Sequence, residues 1–287
     1  CSIVVDQTRE RFPAVDQINR ESIFEGHAVQ QYAFKCRLMH YIHNLQCALH
    51  QILYGLNSCQ PDTLLRAGNS LPEMVAQEKT IDQIIELLKS NQLDENSSTE
   101  NVEKCVAFFN AMNSVLLAGE DLLNETQMMR DCVASLTSAC ESILNDVALA
   151  KAILREEGSS SSDSVLLLQY LVETTDSLKQ QLKLIRRRLP QDVSIIKCGL
   201  SPNKLEALRA QTHSLSRIMS ALHLATKASV QAISANIESD DDNSSSGQHN
   251  IEQSKFWQLL STACEKIYEQ DDRGPLTNFK PPLAAYN

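Results

Sequence analysis

Apolar side chains recur along most of this chain at alternating spacings of three and four, the mark of helices that turn one face inward. The clearest run is Met129, Val133, Leu136, Cys140, Ile143, Val147, Ala150 and Leu154. This seam predicts a helix from about Glu120 to Glu157, ~55 Å long at about 1.5 Å per residue. A second long helix is predicted from Ser201-Pro202, a cap followed by proline in the first turn, to about Ile237. Its face carries Leu208, Leu215, Met219, Leu222, Val230 and Ile233.

Shorter helices fill much of the remainder. Phe34, Leu38, Tyr41, Leu45, Leu49, Ile52 and Leu56 mark one over about Ser22 to Leu56. Ser70-Leu71-Pro72-Glu73 reads as a capping box opening another, which ends near Asn91. Further helices are expected over about Glu100 to Leu117, from a cap at Asp163 to about Arg188, and over Ile251 to Glu269. Residues 1–20 show no period. Asn57 to Gly68 reads as a loop around Pro61 with room for a short helix. Gly158 and four serines break the chain, and Val193 to Ile196 could be extended.

The expected fold is an all-α, elongated multi-helix bundle with two or more long helices. Its parts are a lead-in of uncertain structure at 1–20, a helical domain at 21–271 and a linker-like tail at 272–287. Within the domain, 238–250 holds Ser239-Asp240-Asp241-Asp242-Asn243 and more serines. With nothing to bury, it should be a mobile acidic loop.

Composition narrows the function classes. Aromatics are only 5%, and glycine and proline number 8 each, too few for a sandwich or barrel. The net charge of −10 disfavours nucleic acid and anionic membranes. No apolar run approaches the roughly 20 residues that span a bilayer, and no signal peptide is visible. The start at Cys1 fits a fragment of a longer chain. Nine cysteines, an odd number without a Cys-x-x-Cys pair, fit buried thiols in a reducing, cytoplasmic compartment.

Candidate chemistry is sparse. Cys36, His40, His43, Cys47 and His50 are spaced four, three, four and three and line one helical face. Such residues could ligate zinc, but one helix supplies only two or three ligands to one ion. The competing reading, a semi-polar packing face, is preferred, and neither a metal nor any other cofactor is expected. No Gly-x-Ser-x-Gly, His-Glu-x-x-His or glycine-rich phosphate loop occurs, so no enzyme is expected. Phe256 and Trp257 read as core. Lys179, Lys183, Arg186, Arg187 and Arg188 end a helix, where positive charge complements its dipole. They could also bind an acidic partner or the chain's own Asp240–Asp242. Around a helix at most two of the arginines share a face with Lys183, so Lys183, Arg186 and Arg187 are the candidate partner-binding residues.

Several segments carry a resemblance. Leu71-Pro72-Glu73-Met74, Ile84-Ile85-Glu86-Leu87-Leu88-Lys89 and Gln92-Leu93-Asp94-Glu95 are similar to the intercoil region of Glued-type dynactin subunits. Val165-Leu166-Leu167-Leu168, Ile185-Arg186-Arg187-Arg188-Leu189-Pro190 and Glu265-Lys266-Ile267-Tyr268 follow in the same order. The resemblance implies a non-enzymatic domain between two coiled coils, in a subunit that homodimerises through them and supports dynein-driven transport along microtubules. It also implies protein partners (dynein, other dynactin subunits or cargo adaptors) and a cytoskeleton-associated location. The CAP-Gly microtubule-binding motifs are absent from this stretch. The alternative is another cytoskeletal or membrane-tethering bundle, for example a vinculin-like actin binder.

Overall fold

The computed structural model describes residues 1–15, 18–19, 21–25, 27–57, 59–116, 124–156, 162–192, 194–196, 202–239 and 255–269. Among them the chain forms nine α-helices, one π-helical turn and no strand. They are α1 (Ser2–Arg11), the π turn (Glu21–Glu25), α2 (Ala28–Leu56), α3 (Pro61–Asn69), α4 (Leu71–Lys89) and α5 (Glu100–Leu116). The chain continues through α6 (Glu125–Glu156), α7 (Ser162–Arg188), α8 (Pro202–Ser239) and α9 (Lys255–Glu269). With 32 residues in α6 and 38 in α8, these helices run ~48 and ~57 Å, which makes the bundle elongated. From Asp240 on, the expected acidic loop lies outside the described residues, as do the tail 272–287 and the Ser201 cap.

α6 is the axis of the fold. α2, α8 and α7 pack along it, α9 joins chiefly through α8, and α5 lies against α2. Every seam residue from Met129 to Leu154 is buried. Between Asn124 and Leu154 no side chain is fully exposed; one stripe, through Ala134, Thr137, Glu141 and Leu144, is half-buried and the rest of the helix is buried. Burying a leucine such as Leu136 is worth about 2 kcal/mol. The helix begins at Asn124, whose side-chain oxygen accepts the Gln127 amide at 2.9 Å and so satisfies a free first-turn donor.

Enclosure forces polar side chains of α6 to find partners inside. His40 on α2 places Nδ1 3.0 Å from the Ser135 carbonyl. A carbonyl only accepts, so Nδ1 carries the proton, and Nε2 accepts from Asn44 Nδ2 at 3.3 Å. Ser135 Oγ completes the ring by donating to Asn44 Oδ1 at 2.9 Å. Burial holds His40 down to about 4, so it stays neutral. Asn145 on α6 donates to the Val29 carbonyl at 3.0 Å, and Asn113 on α5 donates to Ala48 and Gln51. Arg37 and Asp146 are also buried. Desolvation pushes the Asp146 carboxyl up to about 6, held back by Arg37 and by the hydroxyls of Ser142 and Thr226.

The periphery departs from the pattern in two places. The aperiodic start forms α1, which buries Val4, Val5 and Thr8. Arg11 fastens it 80 residues along the chain, donating to the Asn91 carbonyl and side chain and, at 2.8 Å, to the Leu93 carbonyl. The capping box at Ser70 does not form. Ser70 has helical dihedrals between α3 and α4, and its hydroxyl turns back to the Arg66 carbonyl at 3.5 Å. Two residues past the end of α4, Asn91 takes the left-handed conformation (φ 60°) that closes a helix. The Gln92 amide then bonds the Leu87 carbonyl at 2.9 Å and the Asn91 amide bonds that of Leu88 at 3.2 Å.

Candidate protein-interaction surface

α7 is amphipathic in the strict sense. Leu168, Thr175, Leu182 and Leu189 fall seven apart and are all buried, with Leu171, Leu178 and Ile185 half-buried beside them. This stripe lies on α6. Most of the remaining side chains, among them Val165, Leu166, Tyr170 and Leu184, are exposed, while Leu167, Val172 and Lys179 are half-buried. Asp163, expected as its cap, lies in the first turn instead, since the helix starts at Ser162.

The basic cluster divides. Lys179 is half-buried and paired with Glu141 of α6 at 3.3 Å, so it fastens α7 to the axis. Lys183, Arg186, Arg187 and Arg188 are exposed. Arg186 and Arg187 stand three and four residues beyond Lys183, one turn above it on the same side. Leu184, 44% exposed, lies one turn below Arg187 and Arg188 and adds apolar surface to the charge.

The chain just beyond holds this end in place. Leu189 is buried against Cys47, Met128, Met129 and Cys132. The Pro190 carbonyl accepts from the Arg130 guanidinium. The Thr126 amide donates to the Ile196 carbonyl at 3.2 Å, and the Asp192 carboxylate accepts the Ser194 amide at 2.9 Å. The cations therefore sit on an anchored helix end, which lowers the entropy lost when a partner orders them. Sequence reasoning found the charges but missed this anchor. Its signal was the Leu189-Pro190 pair, an apolar residue and a helix stop directly after three arginines.

The second candidate, the Cys36 to His50 face of α2, is distributed among separate partners. His40 is held by Ser135 and Asn44. His43 Nδ1 bonds Gln46 Oε1 at 2.8 Å. His50 Nδ1 lies 2.6 Å from Asp131 of α6, and that carboxylate raises its pKa. Cys36 is hydrogen-bonded to Tyr32, and burial lifts its thiol to about 12. Cys47 Sγ touches Cys132 Sγ at 3.8 Å. Among the described residues no three histidine, cysteine or carboxylate groups converge as metal ligands would. Phe256 is fully buried, while Trp257 stacks edge-on against it and is partly exposed. No helix among the described residues is long and apolar enough to cross a membrane.

Comparison with known proteins places the chain in a family. The model of a family described as "Dynactin: Dynein associated protein" matches residues 1–189, which includes the basic end of α7. Dynactin subunit 1 of Drosophila melanogaster is 68% identical over all 287 residues, which is 22% of that protein. Dynactin subunit 1 of Gallus gallus is 29% identical over 66% of this chain and 15% of its own. That of Xenopus laevis is 30% identical over 66% and 15%. The chain thus spans about a fifth or less of the length of the curated relatives it matches.

Proposed function

The chain belongs to the dynactin family of dynein associated proteins, and from that premise we propose that it is a non-enzymatic docking domain of a dynactin subunit. The basic end of α7 (Lys183, Arg186 and Arg187) is its contact surface for an acidic protein partner. The observation that carries this reading is the anchored, exposed cation cluster in a chain of net charge −10. A local positive field on an acidic molecule governs encounter rate and partner choice. The long contact of α6 with α8 suits a second role, holding flanking coiled coils at a fixed geometry.

By family membership the partners are dynein, other dynactin subunits or cargo adaptors. The parent subunit is a homodimer through those flanking coils, working in the cytoplasm on the cytoskeleton. The actin-binding alternative draws no support from the family match.

Charge reversal tests the surface. The Lys183→Glu, Arg186→Glu, Arg187→Glu variant should fold nearly as well as wild type, since exposed ion pairs contribute at most ~1 kcal/mol each. It should lose capture of dynein or dynactin components from cytosol, most clearly at low salt. Full retention of every such partner by a folded variant would reduce the cluster to a solvated helix end.

A further inference from the structure

The satellite core under the end of α7 is built around sulfur. Cys47 of α2, Cys132, Met128 and Met129 of α6, and Leu189 pack together, apart from the main core. The two thiols come from helices 85 residues apart in the chain and place their sulfurs 3.8 Å from each other. They lie across the most extensive helix contact of the fold, α2 against α6. We propose that Cys47 and Cys132 are a redox-active pair that closes to a reversible disulfide stapling α2 to α6, with a peroxide as the oxidant. This inference stands apart from the docking surface proposed above and needs no partner.

The geometry favours closure. A disulfide requires sulfurs at ~2.05 Å, so they must approach by less than 2 Å from where van der Waals contact already holds them. Met128 and Met129 line the space, and their unbranched side chains adapt to such a shift. The exposures of Cys47 and Cys132, 8% and 4%, admit only a small neutral oxidant. The two thiols also differ in acidity. Cys132 is lowered by its hydrogen bond with Cys47, in which either sulfur can donate, and by Arg209 of α8, which acts on both thiols, against desolvation and Asp131. Cys47 is raised well above its usual range by the same hydrogen bond and by burial. Either sulfur can attack first, with Cys132 the readier thiolate and Cys47 then resolving it.

The chemistry balances in two steps. The Cys132 thiolate attacks hydrogen peroxide: a sulfur–oxygen bond forms, the oxygen–oxygen bond breaks, and the departing hydroxide takes up the thiol's proton as water. Cys132 is then a sulfenic acid. The Cys47 sulfur attacks it: the sulfur–sulfur bond forms, the sulfur–oxygen bond breaks, and hydroxide leaves with the Cys47 proton as a second water. Two thiols have lost two electrons, and one peroxide has been reduced to two waters.

The test is peptide mass mapping of the full chain after mild hydrogen peroxide and alkylation under denaturing conditions, with folding followed by circular dichroism. A Cys47–Cys132 linked peptide, two hydrogens lighter than its parts and released by reductant, is expected. In a Cys47→Ser variant Cys132 should accumulate as a sulfenic acid that a dione probe captures. Free, alkylatable thiols at both positions in the peroxide-treated folded protein would overturn the proposal, and so would linkage only among other cysteines. Should the serine variant fail to fold, the wild-type map decides alone.

Discussion

α6 and α7 are neighbours whose apolar patterns look alike, yet one is the inside of the molecule and the other its outside. α6 has no exposed side chain from Asn124 to Leu154, and its Ser135, Ser142, Asn145 and Asp131 bond to partners within the bundle. α7 buries one residue in seven fully and turns Val165, Leu166, Tyr170, Leu184 and its cations to solvent. A heptad stripe reports the minimum a helix must bury. How many neighbours surround it decides whether its polar positions become internal scaffolding or a surface for partners. In this bundle α6 is the buried centre, and α7 leaves one face open to solvent.

Substitutions on the two helices should therefore differ steeply. The largest effect is expected from Leu136→Asp, which places a carboxylate without a partner at a fully buried point of α6. Its cost should exceed ~3 kcal/mol, read by denaturant unfolding, and an unchanged midpoint would mean that α6 is not the enclosed axis. Next comes the pH response of Asp146, whose folded pKa of about 6 lies above its ordinary 3.8. A raised carboxyl stabilises the fold below about 3.8, and that contribution is lost as pH rises through about 6. Asp146→Asn keeps the neutral shape, so between pH 4 and 7 its stability relative to wild type should improve by about 2 kcal/mol. A difference independent of pH would show that the carboxyl is ionised as readily in the fold as in the open chain.

On α7 the expected effects shrink. Leu182→Ala removes one buried side chain from a one-sided contact, and a loss of about 2 kcal/mol is expected in thermal unfolding. A loss as large as that of Leu136→Asp would make α7 part of the axis. Smallest of all, Tyr170→Ser and Leu184→Gln on the open face should change stability by no more than about 0.5 kcal/mol. A cost of several times that would mean the face is covered.

Much of this division was legible in the residue pattern. The α6 seam from Met129 to Leu154 is buried throughout, and the stripe of α2 from Phe34 to Leu56 faces inward. What escaped was whatever depends on distant partners. The histidines and cysteines of α2 have the same spacing whether they ligate a metal or pack. Only Ser135, Asp131 and Cys132 on α6 decide between these, and they lie 81 to 95 residues away. α1 escaped because its order comes from Arg11 reaching carbonyls beyond α4, with no period of its own to announce it. Ser70 had the residues of a cap but not its dihedrals, because α3 runs almost directly into α4. For the candidate surface, the charges of Lys183, Arg186 and Arg187 were plain, while the removal of Lys179 by Glu141 and the anchoring by Leu189 and Pro190 were not.

Native-state hydrogen exchange, residue by residue, tests the inside–outside division most directly. Amides from Met128 to Leu154 should exchange only through global unfolding, at the slowest rates in the chain. Those from Lys183 to Arg188 should exchange faster, through local opening that leaves α6 protected. Equal protection along both helices, or local opening of α6 around Leu136, would contradict the account.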